Sequence, residues 1–224
     1  MENNEKNEII AVDVVLFTIQ GNDLMILLIV RDHDPHAGDH ALPGIFIHEN
    51  ETFEQAVERL MHDKAGISSM PYIEQLYTFG DPGRDPRGRV ITVSYLSLVN
   101  DDKIARADTS SKARWCSVND LPPLAFDHEK IVAYAMKRLR WKIEYSTAAF
   151  AFLPIEFTLA SVKNMYEIIL GKKFSSGNFW RRFLSRGILI ETGNVEEIED
   201  NKRVHRPGKL YRLKRNIGEI VSIF

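Results

Sequence analysis

Three groups of residues in this chain have the types and spacing that could do chemistry. Glu51, Glu58 and Asp63 are carboxylates that a single helix starting near residue 52 would carry, with Arg59 among them. Carboxylates fixed on one rigid element can hold a divalent cation and, through it, a diphosphate or an activated water. Lys64 beside Asp63 would repel such a cation. Arg84, Arg87 and Arg89 stand in the Gly/Pro-rich loop 80–89. Guanidinium forks match phosphate and carboxylate oxygens, and the flanking glycines let a ligand approach the backbone. The plainer reading of this loop is a surface turn whose arginines pair with Asp81 and Asp85. The third group is cationic and aromatic: Asn178, Trp180, Arg181 and Arg182 lie close together, with Lys172, Lys173 and Ser175 just before them and Arg203, His205, Arg206 and Lys209 beyond.

The elements that must position these groups can be read from periodicity and caps. Thr52 is a good helix N-cap, and Glu54 in the first turn complements the helix dipole. Phe53, Ala56, Val57, Leu60 and Met61 recur at spacings of three and four, and Gly66 suits a left-handed cap. Before this helix, 9–19 and 23–31 form a β-hairpin around 20–22. After it, 72–79 and 90–99 read as strands on either side of the arginine loop, and 114–117 as a short strand. A helix follows with Asp127 as N-cap; Ile131, Ala135, Met136 and Leu139 form its apolar side and Lys137, Arg138, Arg140 and Lys142 face outward. The loop 32–40 holds His33, Asp34, His36, Asp39 and His40. Pro35 and Gly38 favour a solvated loop over a metal site, which needs convergent ligands on a fixed frame.

In the last third, Thr158 caps a helix with the stripe Val162, Met165, Tyr166 and Ile169, stopped by Gly171. A second helix, 176–186, ends at Gly187; Phe179, Phe183 and Leu184 turn inward and Asn178, Trp180, Arg181 and Arg182 outward. Two helices joined by a short turn place the second for the DNA major groove. The strands 188–192 and 209–214, with a basic stretch between them, complete a winged helix whose tip would meet phosphates or the minor groove.

Composition sets the frame. The chain has 224 residues, 44% hydrophobic and 27% charged, which suits a soluble globular protein large enough for one big or two small domains. Its one cysteine, Cys116, excludes an internal disulfide and fits a reducing cytoplasm. The polar, acidic residues 1–10 resemble neither a signal peptide nor a membrane span. Residues 151–224 carry 13 Lys and Arg against 8 Asp and Glu, a net of +5, while the remainder is −7. A basic tail on an acidic body suggests a polyanionic partner for the tail.

Leu42-Pro43-Gly44 through Ile67 resembles a Nudix box, G-x5-E-x7-R-E-U-x-E-E-x-G-U, with Glu51, Arg59 and Gly66-Ile67 in register. Gly44 keeps the first of the usual glycine pair and Ile45 occupies the second; Leu60, Asp63 and Lys64 replace three glutamates, so the frame survives with Gly44, Glu51, Glu58, Arg59, Asp63 and Gly66. Together with Gly80 to Val90, Phe152-Leu153-Pro154, Phe157-Thr158-Leu159, Asn178-Phe179, Arg181-Arg182 and Arg206-Pro207-Gly208-Lys209-Leu210-Tyr211, the chain resembles the Nudix-related transcriptional regulators, which include repressors of NAD biosynthesis. The resemblance implies an α+β protein: a Nudix-like α/β/α sandwich with a mixed sheet over 1–145, then a winged helix-turn-helix over 146–224. It implies a homodimer on a palindromic double-stranded DNA operator, away from membranes, with ADP-ribose or a related nucleotide or sugar metabolite as effector. In the NAD-related branch ADP-ribose releases the repressor.

Arg31 and Phe46 join Arg84, Arg87 and Arg89 as the candidate ligand set. No catalytic residue, metal ligand or cofactor is assigned. A ligand-responsive regulator is thus set against a Nudix hydrolase of ADP-ribose or a similar diphosphate, and against a winged helix used for protein contacts. For a regulator, the angle between domains decides operator fit, and the segment 140–153 is where a hinge is expected.

Overall fold

The computed structural model describes residues 9–67, 70, 72–103, 112–195, 208–221 and 223. Its first half is built on one long strand, β1 (Ile9–Gln20), whose β-branched run supports extended backbone along its whole length. β1 pairs antiparallel with β2 (Asp23–Val30) and with the short β4 (Gly44–Phe46), and parallel with β6 (Val90–Leu98). β5 (Tyr72–Phe79) lies on the far side of β6, while β3 (His40–Ala41) and β7 (Ala113–Ser117) flank β2. The result is a mixed seven-stranded sheet.

Successive side chains of a strand point to opposite faces. Val12, Val14 and Leu16 of β1 therefore meet α1 (Phe53–Ala65) through Ala56, Val57, Leu60 and Met61. Val15 and Phe17 meet α2 (His128–Tyr145) through Ile131, Ala135, Leu139 and Ile143. Helix on sheet on helix is the α/β/α sandwich. α1 starts in a full capping box, Thr52 with Gln55, and ends on Gly66 at φ 63°. α2 begins after Asp127, but that carboxylate makes no capping bond: Arg84 holds it instead, a charge-assisted bond that outcompetes a backbone amide. Nor does Lys142 face outward; with Arg138 it binds the half-buried Glu74 of β5, at 2.7 Å.

The second half is a winged helix. α3 (Leu159–Leu170) starts in a capping box of Thr158 and Ser161 and stops at Gly171, φ 65°. α4 (Ser176–Ser185) follows a short turn, and β8 (Phe157–Thr158), β10 (Lys209–Leu213) and β9 (Leu189–Val195) form a three-stranded sheet in that order. Phe150, Phe157, Tyr166, Phe179 and Phe183 pack their rings into one core, with Phe179 and Phe183 stacked at 4.8 Å. Leu184, expected inside, is 45% exposed, because 100° per residue carries it away from the Phe179–Phe183 side.

The two halves share a core. The 3-10 turn Ala148–Phe152 is wholly buried between sheet and winged helix. Tyr166 donates its hydroxyl to the Ile143 carbonyl, 3.1 Å away, and the Asn100 amide donates to the Phe152 carbonyl. Backbone amides of Val221 and Ile223 donate to Tyr145 and Glu144 at the end of α2. The 140–153 stretch expected to act as a hinge is therefore a packed joint: apolar side chains fill it and backbone bonds tie it on both sides. Among the described residues no helix is long and apolar enough to cross a membrane.

Candidate functional site: an arginine-lined cleft and a basic helix face

A cleft of about 610 Å³ opens beside β1 and β4, bordered by α1, the 80–89 loop and the start of α2. Its floor is charged. Asp13 interrupts the apolar run of β1 and is 6% exposed; Arg84 is equally buried and bonds Asp127 through two contacts, at 2.7 and 3.0 Å. Arg84 also lies 3.8 Å from Asp13. A guanidinium between two carboxylates satisfies charges that could not be left unpaired in such a place. His128 completes the group. Its Nδ1 accepts from the Leu42 amide at 2.9 Å, which puts the proton of the neutral ring on Nε2, 3.9 Å from Asp13. Burial holds the imidazole below its ordinary value despite Asp13. Gly44 is required here, because a Cβ would collide with the Asp13 carboxylate.

Above this floor the cleft is aromatic and cationic. Arg87 is gripped by Asp85 at 2.6 Å and lies over Phe46 (5.1 Å) and Phe126 (5.5 Å). Arg31 also lies over Phe126, at 4.7 Å, steadied by the carbonyls of Pro35 and His33. Phe126 sits at φ 56° and packs against His36, itself at φ 68°. A bulky residue in left-handed backbone costs energy and persists only where its surroundings hold it. Among the described residues Arg59, Arg84 and Arg87 of the cleft each have a carboxylate partner, and Arg31 has none. Burial and then the nearby Arg87 push Arg31 below its ordinary value. Two guanidiniums within 5.5 Å of one aromatic ring can meet an anion that carries a flat group.

Of the candidate ligand set, Arg31, Phe46, Arg84 and Arg87 border this cleft, and Arg84 does so from beneath, already engaged. Arg89 stands apart: its guanidinium donates to the Gly80 carbonyl and closes the base of the loop. Asp13, Phe126 and His128 were not singled out from sequence. A lone carboxylate inside the run Ala11 to Phe17 was the available signal for Asp13, since a buried charge demands partners.

The box carboxylates are dispersed. Glu51 binds Arg59 through both oxygens at 2.7 Å, which holds its pKa down to about 2. Arg59 also donates to the Phe46 carbonyl. Glu58 lines a second, smaller pocket with Glu54, Arg59, Asp63 and Tyr95, and Asp63 also borders the cleft, with Lys64 next to it. Among the described residues no three His, Cys, Asp or Glu side chains converge as a metal site requires. The histidine-rich loop bonds internally, His33 to Asp32 and His36 to Asp39.

On the winged helix, Asn178, Trp180, Arg181 and Arg182 are on the exposed side of α4. Lys172, Lys173 and Ser175 occupy the turn before it, where Glu167 organises the backbone. Its buried carboxylate accepts from the Phe174 amide at 2.7 Å and pairs with Lys163 and Lys173, and these contacts hold it down to about 2. Lys209 opens β10 and pairs with Glu191. Arg203, His205 and Arg206 lie outside the described residues.

Comparison with known proteins gives the following. The NUDIX domain family model matches residues 8–135, and the NrtR DNA-binding winged helix domain model matches 149–213. An ADPR responsive transcriptional repressor, NtrR of Acinetobacter baylyi, is 35% identical over 210 residues, covering 91% of this chain and 81% of that one. An ADP-ribose pyrophosphatase of Methanocaldococcus jannaschii is 38% identical over 134 residues, 59% of this chain and 74% of its own. NrtR of Shewanella oneidensis, solved with a 27mer DNA, superposes with a TM-score of 0.84 at 35% identity, over 95% of this chain and 97% of that one. Its NUDIX domain, solved with ADP ribose, superposes with a TM-score of 0.54 at 39% identity, over 60% and 90%.

Proposed function

The chain belongs to the NrtR-type Nudix regulators, and on that footing we propose that it is a transcriptional repressor that binds an operator through its winged helix and ADP-ribose in its Nudix cleft. The observation that carries this reading is the union in one chain of an anion-receptive aromatic cleft with a basic winged helix. In the cleft, Arg31 and Arg87 would meet the diphosphate while Phe126 and Phe46 flank a planar base or the ribose. On DNA, α4 would enter the major groove, with Lys172, Lys173, Ser175 and Lys209 toward phosphates. Two copies on a palindrome, working in the cytoplasm on genes of NAD metabolism, complete the proposal.

ADP-ribose acts by preferring one arrangement of cleft and DNA-binding half; only its differential affinity can move the repressor off DNA. The second reading, hydrolysis of ADP-ribose, is favoured by the pyrophosphatase relative and by the retained Glu51–Arg59 pair. Against it stand Leu60 buried at the position of a box glutamate, Lys64, and a Glu51 already held by Arg59. One experiment separates them: binding to the promoter region of its own gene, at two salt concentrations, with and without ADP-ribose, while AMP release is followed. Specific binding weakened by ADP-ribose without AMP supports the repressor. AMP release with no specific DNA binding restores the enzyme.

A further inference from the structure

Glycine is common where backbone demands it, and α4 holds one where nothing among the described residues does. Gly177 is in the first turn of α4 with ordinary helical backbone, and among the described residues a Cβ built on it would meet nothing within 4 Å. Gly21, Gly66, Gly171 and Gly187, by contrast, all adopt positive φ, which a side chain would strain. Inside a helix glycine is less favourable than alanine because its backbone loses more freedom. A solvent-facing helical glycine with open space around it is therefore unexplained by folding.

Its position on the helix suggests the reason. Phe179 and Phe183 are the buried residues of α4 and define its inward direction. At 100° per residue, the opposite pole is occupied by Gly177 and Arg181, one turn apart. Asn178 and Arg182 form a polar row on one flank, and Trp180 and Leu184, 37% and 45% exposed, an apolar row on the other. The outermost line of α4 thus carries no side chain in its first turn and a long guanidinium in its second.

We infer that Gly177 is a clearance residue that sets how deeply α4 seats in the major groove. This rests on the reading that α4 is the recognition helix. With Gly177 bare, the first turn comes close to base edges, bringing Asn178 and Arg181 within hydrogen-bond range of them. Those are residue types suited to paired contacts with adenine and guanine respectively. A methyl group there would hold the helix off along its outermost line and weaken base contacts more than phosphate contacts, since long lysines at the edge of the footprint can follow the displaced backbone.

The test compares full-length wild type with Gly177→Ala, Gly177→Gln and, as a control in the exposed turn after β7, Asn119→Ala. It uses fluorescence anisotropy on a duplex selected by the wild-type chain from a randomised pool, and on a scrambled duplex. Gly177→Ala should melt at or above the wild-type temperature and bind the selected duplex about tenfold more weakly, the size of one lost base-pair contact. Gly177→Gln should bind more weakly still, and both should retain wild-type affinity for the scrambled duplex. Asn119→Ala should bind as wild type. Binding of Gly177→Ala to the selected duplex within about twofold of wild type would overturn the inference, as would a lowered melting temperature, since folding would then require the glycine. A wild type that selects no duplex removes the recognition-helix reading, and the inference with it.

Discussion

Arg31 is the side chain on which the effector reading is most exposed to test. Charge-assisted hydrogen bonds contribute about 1.5–3 kcal/mol, so Arg31→Gln should weaken ADP-ribose binding about tenfold to a hundredfold by calorimetry. Because Arg31 has no ion-pair partner within salt-bridge distance among the described residues and is near Arg87, the unliganded variant should melt close to wild type. A loss of melting temperature equal to that of a core substitution would mean Arg31 is a structural residue instead. Gly44→Ala makes the opposite prediction: its methyl would collide with the buried Asp13 carboxylate, so about 1–3 kcal/mol of stability should be lost in denaturant unfolding. At this scale the sequence was only partly legible. Arg31, Phe46, Arg84 and Arg87 could be nominated by residue type and loop chemistry. The Arg84–Asp127 pair, joined across 43 positions, and the approach of both Arg31 and Arg87 to Phe126 could not, because tertiary partners far apart in the chain decide them.

Helices and strands were far easier to read than the site, since caps and periodicity are local. Thr52, Gly66, Thr158 and Gly171 end their helices as their chemistry dictates. The exceptions have physical causes: Arg84 takes the Asp127 carboxylate that would have capped α2, and Glu74 draws Lys142 inward. The α3–α4 turn yields a pH prediction. Glu167 falls to about 2 from its ordinary 4.5, chiefly through Lys163 and then the Phe174 amide. A lowered carboxylate stabilises fully above its unfolded pKa, so this contribution should be present above pH 4.5 and disappear as pH falls toward 2. Wild type should therefore lose stability across that window, and Glu167→Gln should show a shallower slope there when both are melted at successive pH values. Parallel slopes for the two would show that other carboxylates govern the acid response.

Over the whole molecule, α2 links the two functions. Its 18 residues span about 27 Å, from Asp127 and His128 beside the cleft to Ile143 in the joint with the winged helix. Tyr166→Phe removes the hydroxyl that bonds the Ile143 carbonyl while keeping the ring. It should leave ADP-ribose affinity without DNA unchanged and shrink the ratio of operator affinities measured without and with ADP-ribose. An unaltered ratio would exclude this bond from the coupling route. Ile223→Ala, opening a void in the same joint, should cost about 2–5 kcal/mol. The way β1 is paired has a further consequence, for the order of events in folding. Its parallel partner β6 lies far along the chain, as the Thr18 to Val99 bond across 81 positions shows. Closing so long a loop precedes any reward from the contacts it makes, whereas the β1–β2 hairpin and the α3–α4 pair are local. Refolding should begin with those local pieces and wait on the meeting of β1 with β6, so the half that holds the cleft sets the pace at which the whole native molecule appears.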